Sequence, residues 1–582
     1  MSNIFGILHT GVSGLLTSQA GIDVTGHNIA NANTEGYSRQ RVVIQTQNPL
    51  LVSPGPFGRG SKISYIERTY DQVVAGNLRN ESSGMFYWES LQTSLESTNI
   101  YFNELETGSG LGDALKEYFN AWQDIANTAP DNTDEAVVKR IQLVNKTETL
   151  TQKMNEGYLW IENRRIDSDS KISQYVNEIN DLAVNIADLN RQIGKIESSG
   201  SKANDFRDRR ELLLNKMAEY ANINISERPD GQVAVYLGGD TLVDSSQVNK
   251  IFVVRNESND NHFDIYWGSS ITNKPEVDIT NHISGGKIAG EFKIRDGLLK
   301  DYEKNLNELA QTLITSTNML HSTGLGLERI TSITSSNGVL NPSFKFNEAA
   351  GKLPFDMNNG TFRIAVYNPE GEVADYYDID IDINSDSMNS IITKVSAADG
   401  NSSGGHIQAY LGENGSIKIT AEEGYTLSFV EDTTNFLVAS GLNSFFKGQS
   451  AKDISLSEFI KTNPNFIASA KSTAPGDNTN ALKIANLKFD KLTNNASIDE
   501  FYSVFVSKIA SDKNQADIFY ETKKQAVDQL GVKLEQIKGV SIDEEFTNLI
   551  KFQKAYEANA RFITAVDQMI DRLINGMGVV GR

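Results

Sequence analysis

Residues 539–573 read GVSIDEEFTNLIKFQKAYEANARFITAVDQMIDRL. Within them Leu549, Phe552, Tyr556, Asn559, Ile563, Val566, Ile570 and Leu573 recur at alternating steps of three and four. That spacing lines one stripe of an α-helix and predicts a partner helix along its whole length. The other end of the chain carries a matching set: Phe5, Leu8, Val12, Leu15, Gln19, Ile22, Gly26 and Ile29. At ~1.5 Å per residue each stretch is about 40 Å long. Neither has the rest of a globular core beside it in sequence. Two such helices at opposite termini predict a subunit built to polymerise. The two stripes are its expected assembly seam, paired with each other and with neighbouring copies.

The segment between Asp23 and Arg59 carries all the charge of residues 1–60, namely Asp23, Glu35, Arg39, Arg41 and Arg59. So few charges suit a stretch covered by protein on several sides. The whole chain, by contrast, has a formal net charge of −21 over 582 residues. That balance argues against nucleic acid, whose binding needs Lys and Arg to neutralise phosphates. There is no cysteine, which excludes a disulfide framework, thiol catalysis and Cys-ligated zinc, and fits an extracellular protein. No apolar run is long enough to insert in a membrane. The N-terminus lacks a basic leader region, and His9, Thr10, Ser13, Thr17 and Ser18 interrupt any apolar one, so export, if it occurs, is expected without a cleaved leader.

A chain of this length predicts several domains. No proline falls between Pro130 and Pro229 or after Pro475, leaving both stretches free to form long helices. In the first of them Ile172, Ile179, Ile186 and Ile193 recur every seven residues, with Tyr175, Leu182, Leu189 and Ile196 three positions later. This reads as one long helix in an intramolecular bundle with helical stretches at 81–105, 113–128 and 300–321. Between about 222 and 295 the pattern changes to short alternating runs such as Gln232–Leu237 and Ile251–Val254, a small β insertion. Further strands are expected at 362–367, 377–383, 417–420 and 426–429, separated by Asn/Gly turns. The expected fold class is α+β multidomain. Terminal coiled-coil-like helices (1–60 plus 535–582) are innermost. A long-helix bundle (61–325 plus 475–534) carries the β insertion, and a β-rich domain (326–474) is outermost.

The search for chemistry is negative. Histidines stand at 9, 27, 262, 282, 321 and 406, without zinc-ligand spacing, a nucleophile elbow or a phosphate loop. No catalytic, cofactor-binding or metal-binding residue is assigned, and none of these activities is expected. The run Asp378-Ile-Asp380-Ile-Asp382-Ile-Asn384 superficially offers calcium-loop spacing, but positions six and twelve hold Ile383 and Asn389 where that loop needs Gly and Glu. Strict alternation predicts a strand with one acidic, solvated face.

The least ordinary segment is Asn28-Ile-Ala-Asn-Ala-Asn-Thr-Glu-Gly-Tyr-Ser-Arg-Gln-Arg41. Asn31, Asn33 and Gly36 are residues that tolerate positive φ and are expected to end the first helix. Residues 30–37, with Asn31, Asn33, Gly36 and Tyr37 as the motif, resemble the signature of the axial proteins of bacterial flagella, the rod, hook and hook-associated proteins. The continuation Ser38-Arg39-Gln40-Arg41 looks like the hook-associated protein 1 family, whereas rod and hook proteins more often place Lys after the Tyr. Arg207–Met217 with Asp230–Gly239, Glu291–Asp296 with Asn318–Gly324, Ala474–Asn478 and Gly539–Glu545 resemble further blocks of that family. Parts of 325–470 match it only loosely. The resemblance implies a non-enzymatic subunit at the junction between hook and filament, required for filament assembly. It would be exported without a leader through the flagellar type III apparatus and would be extracellular. The implied partners are copies of itself, the hook protein, a second hook-associated junction protein, and an export chaperone on the C-terminal helix. The alternatives are the hook protein or another axial component and, more remotely, an extracellular adhesin or an enzyme with a dispersed site.

Overall fold

The computed structural model describes residues 2–52, 55–102, 110–128, 134–398, 406–493 and 495–576. It is an α+β multidomain fold, with long helices and several small antiparallel sheets. Contacts divide the chain into two compact units, 1–94 with 166–294 and 514–582, and 95–165 with 295–513. Among the described residues no helix is long and apolar enough to cross a membrane.

In the first unit the helix Ser2–Ala30 packs along the helix Ile542–Gly576. A hairpin of Gln40–Thr46 and Ser61–Arg68 follows the N-terminal helix, in a register that pairs Val42 with Ile66. The seven-residue isoleucine repeat lies on the 64-residue helix Asp134–Glu197. Ile172, Ile179 and Ile186 are buried among Leu214, Met217, Val235, Val243 and Ile265. This seam is therefore satisfied inside the chain, as expected of a bundle helix. The β insertion forms a four-stranded antiparallel sheet over 223–248 and a three-stranded sheet over 250–278. Its strand Val233–Leu237 is almost wholly buried, which explains the unbroken apolar run in its sequence.

In the second unit two three-stranded sheets are assembled from Ser332–Thr334, Gly360–Tyr367, Val373–Ile381, Ile407–Leu411, Ile417–Ala421 and Thr426–Asp432. The strand Val373–Ile381 buries Tyr377, Ile379 and Ile381 while Asp378 and Asp380 face solvent. Arg363 on the adjacent strand pairs with Asp378 through Nε at 2.6 Å. The acidic alternation is thus one solvated sheet face as far as Ile381. The expected continuation through Asp382, Ile383 and Asn384 is corrected, because there the chain turns and the Asp382 carboxylate accepts from the Asn384 N–H and the Ser385 hydroxyl. In the same unit Trp122, Tyr118, Phe445 and Phe446 form a buried aromatic cluster, with the Trp122 and Phe445 rings 5.1 Å apart.

His321 is fully buried in that cluster. Its Nε2 accepts a hydrogen bond from the Ala468 N–H at 3.0 Å. The proton is therefore on Nδ1, which donates to the Asn443 carbonyl at 2.8 Å. Burial disfavours the imidazolium and lowers the pKa from 6.5 to about 4, against a smaller opposing effect of the Asn443 carbonyl. The unfolded chain then binds a proton that the folded chain refuses. Stability from this group is complete above pH 6.5 and is lost as pH falls toward 4, by ~3 kcal/mol at ~1.4 kcal/mol per unit. Urea titrations of the original chain and His321→Gln should show a steeper decline over that window in the original. Parallel declines would refute a neutral His321.

Candidate assembly site

The terminal helices meet antiparallel through small residues on one side and larger ones on the other. A Cβ built on Gly11 would stand 2.9 Å from Ile563, on Gly14 2.6 Å from Asn559, and on Gly21 2.5 Å from the Phe552 ring. Helix backbones come this close only where one side lacks side chains. The seam of the N-terminal helix is therefore Gly11, Gly14, Ser18, Gly21, Thr25 and Asn28, again at steps of three and four.

This corrects the intramolecular half of the expected stripe on that helix. Leu8, Leu15, Ile22 and Ile29 are half-buried, Val12, Gln19 and Gly26 are exposed, and the Phe5 side chain lies outside the described residues. A search for apolar residues passes over glycine and serine, although their three-four spacing was present in the sequence. The C-terminal stripe does face the partner helix. Val566 is buried, and Leu549, Phe552, Tyr556, Asn559, Ile563 and Ile570 are half-buried, but Leu573 is exposed. Outside this seam the paired helices leave Ile7, Val12, Leu16, Phe546, Ile550, Met569, Leu573 and Ile574 exposed.

At one end the pair is tied by a buried polar hub built from residues 28–40. The Asn28 side chain is 1% exposed and makes all four of its hydrogen bonds. Its Oδ1 accepts from the Tyr37 hydroxyl at 2.7 Å and the Gln40 N–H at 2.9 Å. Its Nδ2 donates to the Gln40 carbonyl and to Glu545 Oε2, both at 2.9 Å. Glu545 is 2% exposed, and its other oxygen takes Arg39 Nε at 2.8 Å and Nη2 at 2.7 Å. Asp208, on the helix Asn204–Tyr220, accepts from both the backbone N–H and the hydroxyl of Ser38 at 2.8 Å. Arg68 also reaches Asp208, at 2.9 Å, and Arg79 pairs with Glu211 at 2.8 Å.

Electrostatics follow from this wiring. Burial and the carboxylates of Asp205, Asp208 and Glu545 raise the Tyr37 pKa and keep the hydroxyl a donor. Burial raises the Asp208 pKa, and Arg68, shared with Glu211, opposes this only in part. Burial acts the same way on Glu211, but Arg79, Arg68 and Arg210 outweigh it and lower the pKa.

Within the motif only Gly36 has positive φ, at +78°. Asn31 instead donates its Nδ2 to the His27 carbonyl at 3.0 Å and accepts from Thr34 Oγ1 at 3.2 Å, a side-chain stop to the helix. Asn33 is exposed. The helix ends at this segment as expected, at Ala30, but neither asparagine uses the positive φ it tolerates. Asn28, Glu545 and Asp208 are hub residues to which the sequence reading gave no role of their own, because their partners lie 9 to 517 positions away. Among the described residues no cluster of three or more metal-ligating side chains exists.

Paired terminal helices with an uncovered apolar surface define a structural assembly subunit. Residues 96–332 match the model of the flagellar hook-associated protein FlgK helical domain. Residues 8–37 match that of the flagella basal body rod protein, and 536–576 that of the flagellar basal body rod FlgEFG protein C-terminal region. Flagellar hook-associated protein 1 of Bacillus subtilis is 25% identical, covering 100% of both chains. Those of Salmonella typhimurium and Escherichia coli are 23% identical, covering 98% of this chain and 99% of theirs. The flagellar hook junction protein FlgK from Burkholderia pseudomallei has a similar fold, with TM-score 0.53 and 14% identity over 80% of this chain and 100% of that one. Over its whole length the chain is similar to flagellar hook-associated protein 1, and it is a structural component of the bacterial flagellum.

Proposed function

We propose that this chain forms the junction between hook and filament and is required for the filament to assemble. The observation that carries this reading is the apolar surface left on the paired terminal helices, from Ile7, Val12 and Leu16 round to Phe546, Ile550 and Leu573. Exposed large apolar side chains in this number along one helix pair mark an interaction surface. Head-to-tail contacts on such a surface generate rings or helical arrays of copies. Leu8, Leu15, Ile22 and Ile29, only half-buried in the single chain, would complete their burial there, so the assembly seam comprises both the paired stripe and its uncovered flanks. One end of the array contacts the hook protein and the other a second hook-associated junction protein.

Before assembly the same apolar face needs cover, and an export chaperone on the C-terminal helix would supply it. The chain is then secreted through the flagellar export apparatus and works outside the cell without enzymatic activity. Gold-labelled antibody on intact flagella tests the reading. The label is expected as a narrow band where hook meets filament. Label along the whole hook would make the chain a hook protein, and label off the flagellum would end the proposal.

A further inference from the structure

The terminal helix pair has a seam that does not by itself choose a register. On the N-terminal helix Gly11, Ser18 and Thr25 form one seven-residue series, and Gly14, Gly21 and Asn28 the other. On the C-terminal helix Phe552, Asn559 and Val566 repeat at the same interval, as do Leu549, Tyr556, Ile563 and Ile570. Sliding one helix past the other by a heptad, about 10 Å, again sets small residues against large ones. Gly14 would meet Val566 or Phe552 in place of Asn559, and Gly21 would meet Asn559 or Glu545 in place of Phe552. The non-helical residues 31–39 that follow the N-terminal helix supply slack for such a slide.

We propose that the buried hub of Asn28, Arg39 and Glu545 is a register lock for the terminal helices. It penalises every slipped alignment while contributing little to the attraction between them. A slide of one heptad carries Glu545 away from the Arg39 fork and from Asn28 Nδ2, leaving a carboxylate and an amide without partners in a site where they are 2% and 1% exposed. Such orphaned polar groups are penalised far more than the intact bonds reward the native state, and a single buried polar position can fix the alignment of a helix pair. Ser38 and Asp208 extend the lock to the helix Asn204–Tyr220, so the register is set against the body of the first unit. On this reading the residues that flank the motif, Asn28 before it and Arg39 after it, act inside one chain rather than between copies.

The chain has no cysteine of its own, so introduced pairs report register directly. Gly14→Cys with Asn559→Cys reads the native alignment, and Gly14→Cys with Val566→Cys or Phe552→Cys reads the two slipped ones. Intramolecular cross-linking of the purified full chain under mild oxidant is followed by gel mobility. With Glu545 present the native pair should form at least about tenfold faster than either slipped pair. In Glu545→Leu the ratio should fall toward one, and in Glu545→Gln, which keeps an acceptor, it should lie between. An unchanged ratio in Glu545→Leu overturns the proposal. So does loss of all three cross-links in that variant, because the hub would then hold the pair together rather than align it. Failure of the native pair to form in the chain that retains Glu545 overturns it too. None of these outcomes bears on where the chain sits in the flagellum.

Discussion

Cells carrying Ile563→Asp are expected to build hooks, lack filaments and release filament subunits into the medium. Ile563 is the side chain against Gly11, where an added Cβ would be 2.9 Å away. A carboxylate there either loses its water, at several kcal/mol, or forces the helices apart. Leu573→Asp should give the same cells by another route. Leu573 is exposed in the single chain, so its charge disturbs only contacts with other copies. Circular dichroism of the two purified variants separates the routes, with helicity lowered in Ile563→Asp and unchanged in Leu573→Asp. Electron microscopy of the cells then tests the assignment itself. Missing hooks would identify a hook protein, and normal flagella would point to an adhesin or an enzyme and end the junction reading.

The two variants also mark what could be read from sequence. The C-terminal stripe was legible because its knobs are large and apolar, and the isoleucine repeat of the long helix because its burial needs no partner outside the chain. The N-terminal stripe was half legible. Its apolar residues have the right period but sit beside the seam, since the helix turns glycine and serine toward its partner and keeps leucine, valine and isoleucine for other surfaces. Hydrophobicity identified the helix and misjudged its inward face. The strand at 373–381 was legible only in part. Alternation marked 377–381, but it also ran on through Asp382, Ile383 and Asn384, where the chain leaves the strand, and it missed 373–376. The hub was not. Asn28, Glu545 and Asp208 are unremarkable residues in their own helices, and only the fold brings them together. What sequence offered there was an unusual composition and a family resemblance, without the reason for either.

Gly21→Leu is the sharpest test of the small-residue seam. Gly21 is buried, and a Cβ in its place would lie 2.5 Å from Phe552 Cδ1 and 2.6 Å from Cγ, inside any allowed contact. Leucine adds three more carbons to that overlap. The ring can escape only by moving the C-terminal helix outward, which also opens the neighbouring contact of Gly14 with Asn559, 2.6 Å from a Cβ placed there. Overpacking of this kind costs ~1–3 kcal/mol, and each ~1.4 kcal/mol is tenfold in an equilibrium, so the filamented fraction of cells should fall about tenfold or more. Phe552→Ala alone should weaken the pair less, because it leaves a gap that the partly exposed helices can close. The double variant Gly21→Leu, Phe552→Ala restores a large residue opposite a small one with the sides exchanged. It should assemble better than Gly21→Leu alone, the non-additivity expected of residues in direct contact. Normal filament numbers in Gly21→Leu would show that the helices do not pair through Gly21. A double variant no better than the single would show that the damage lies elsewhere than at Phe552.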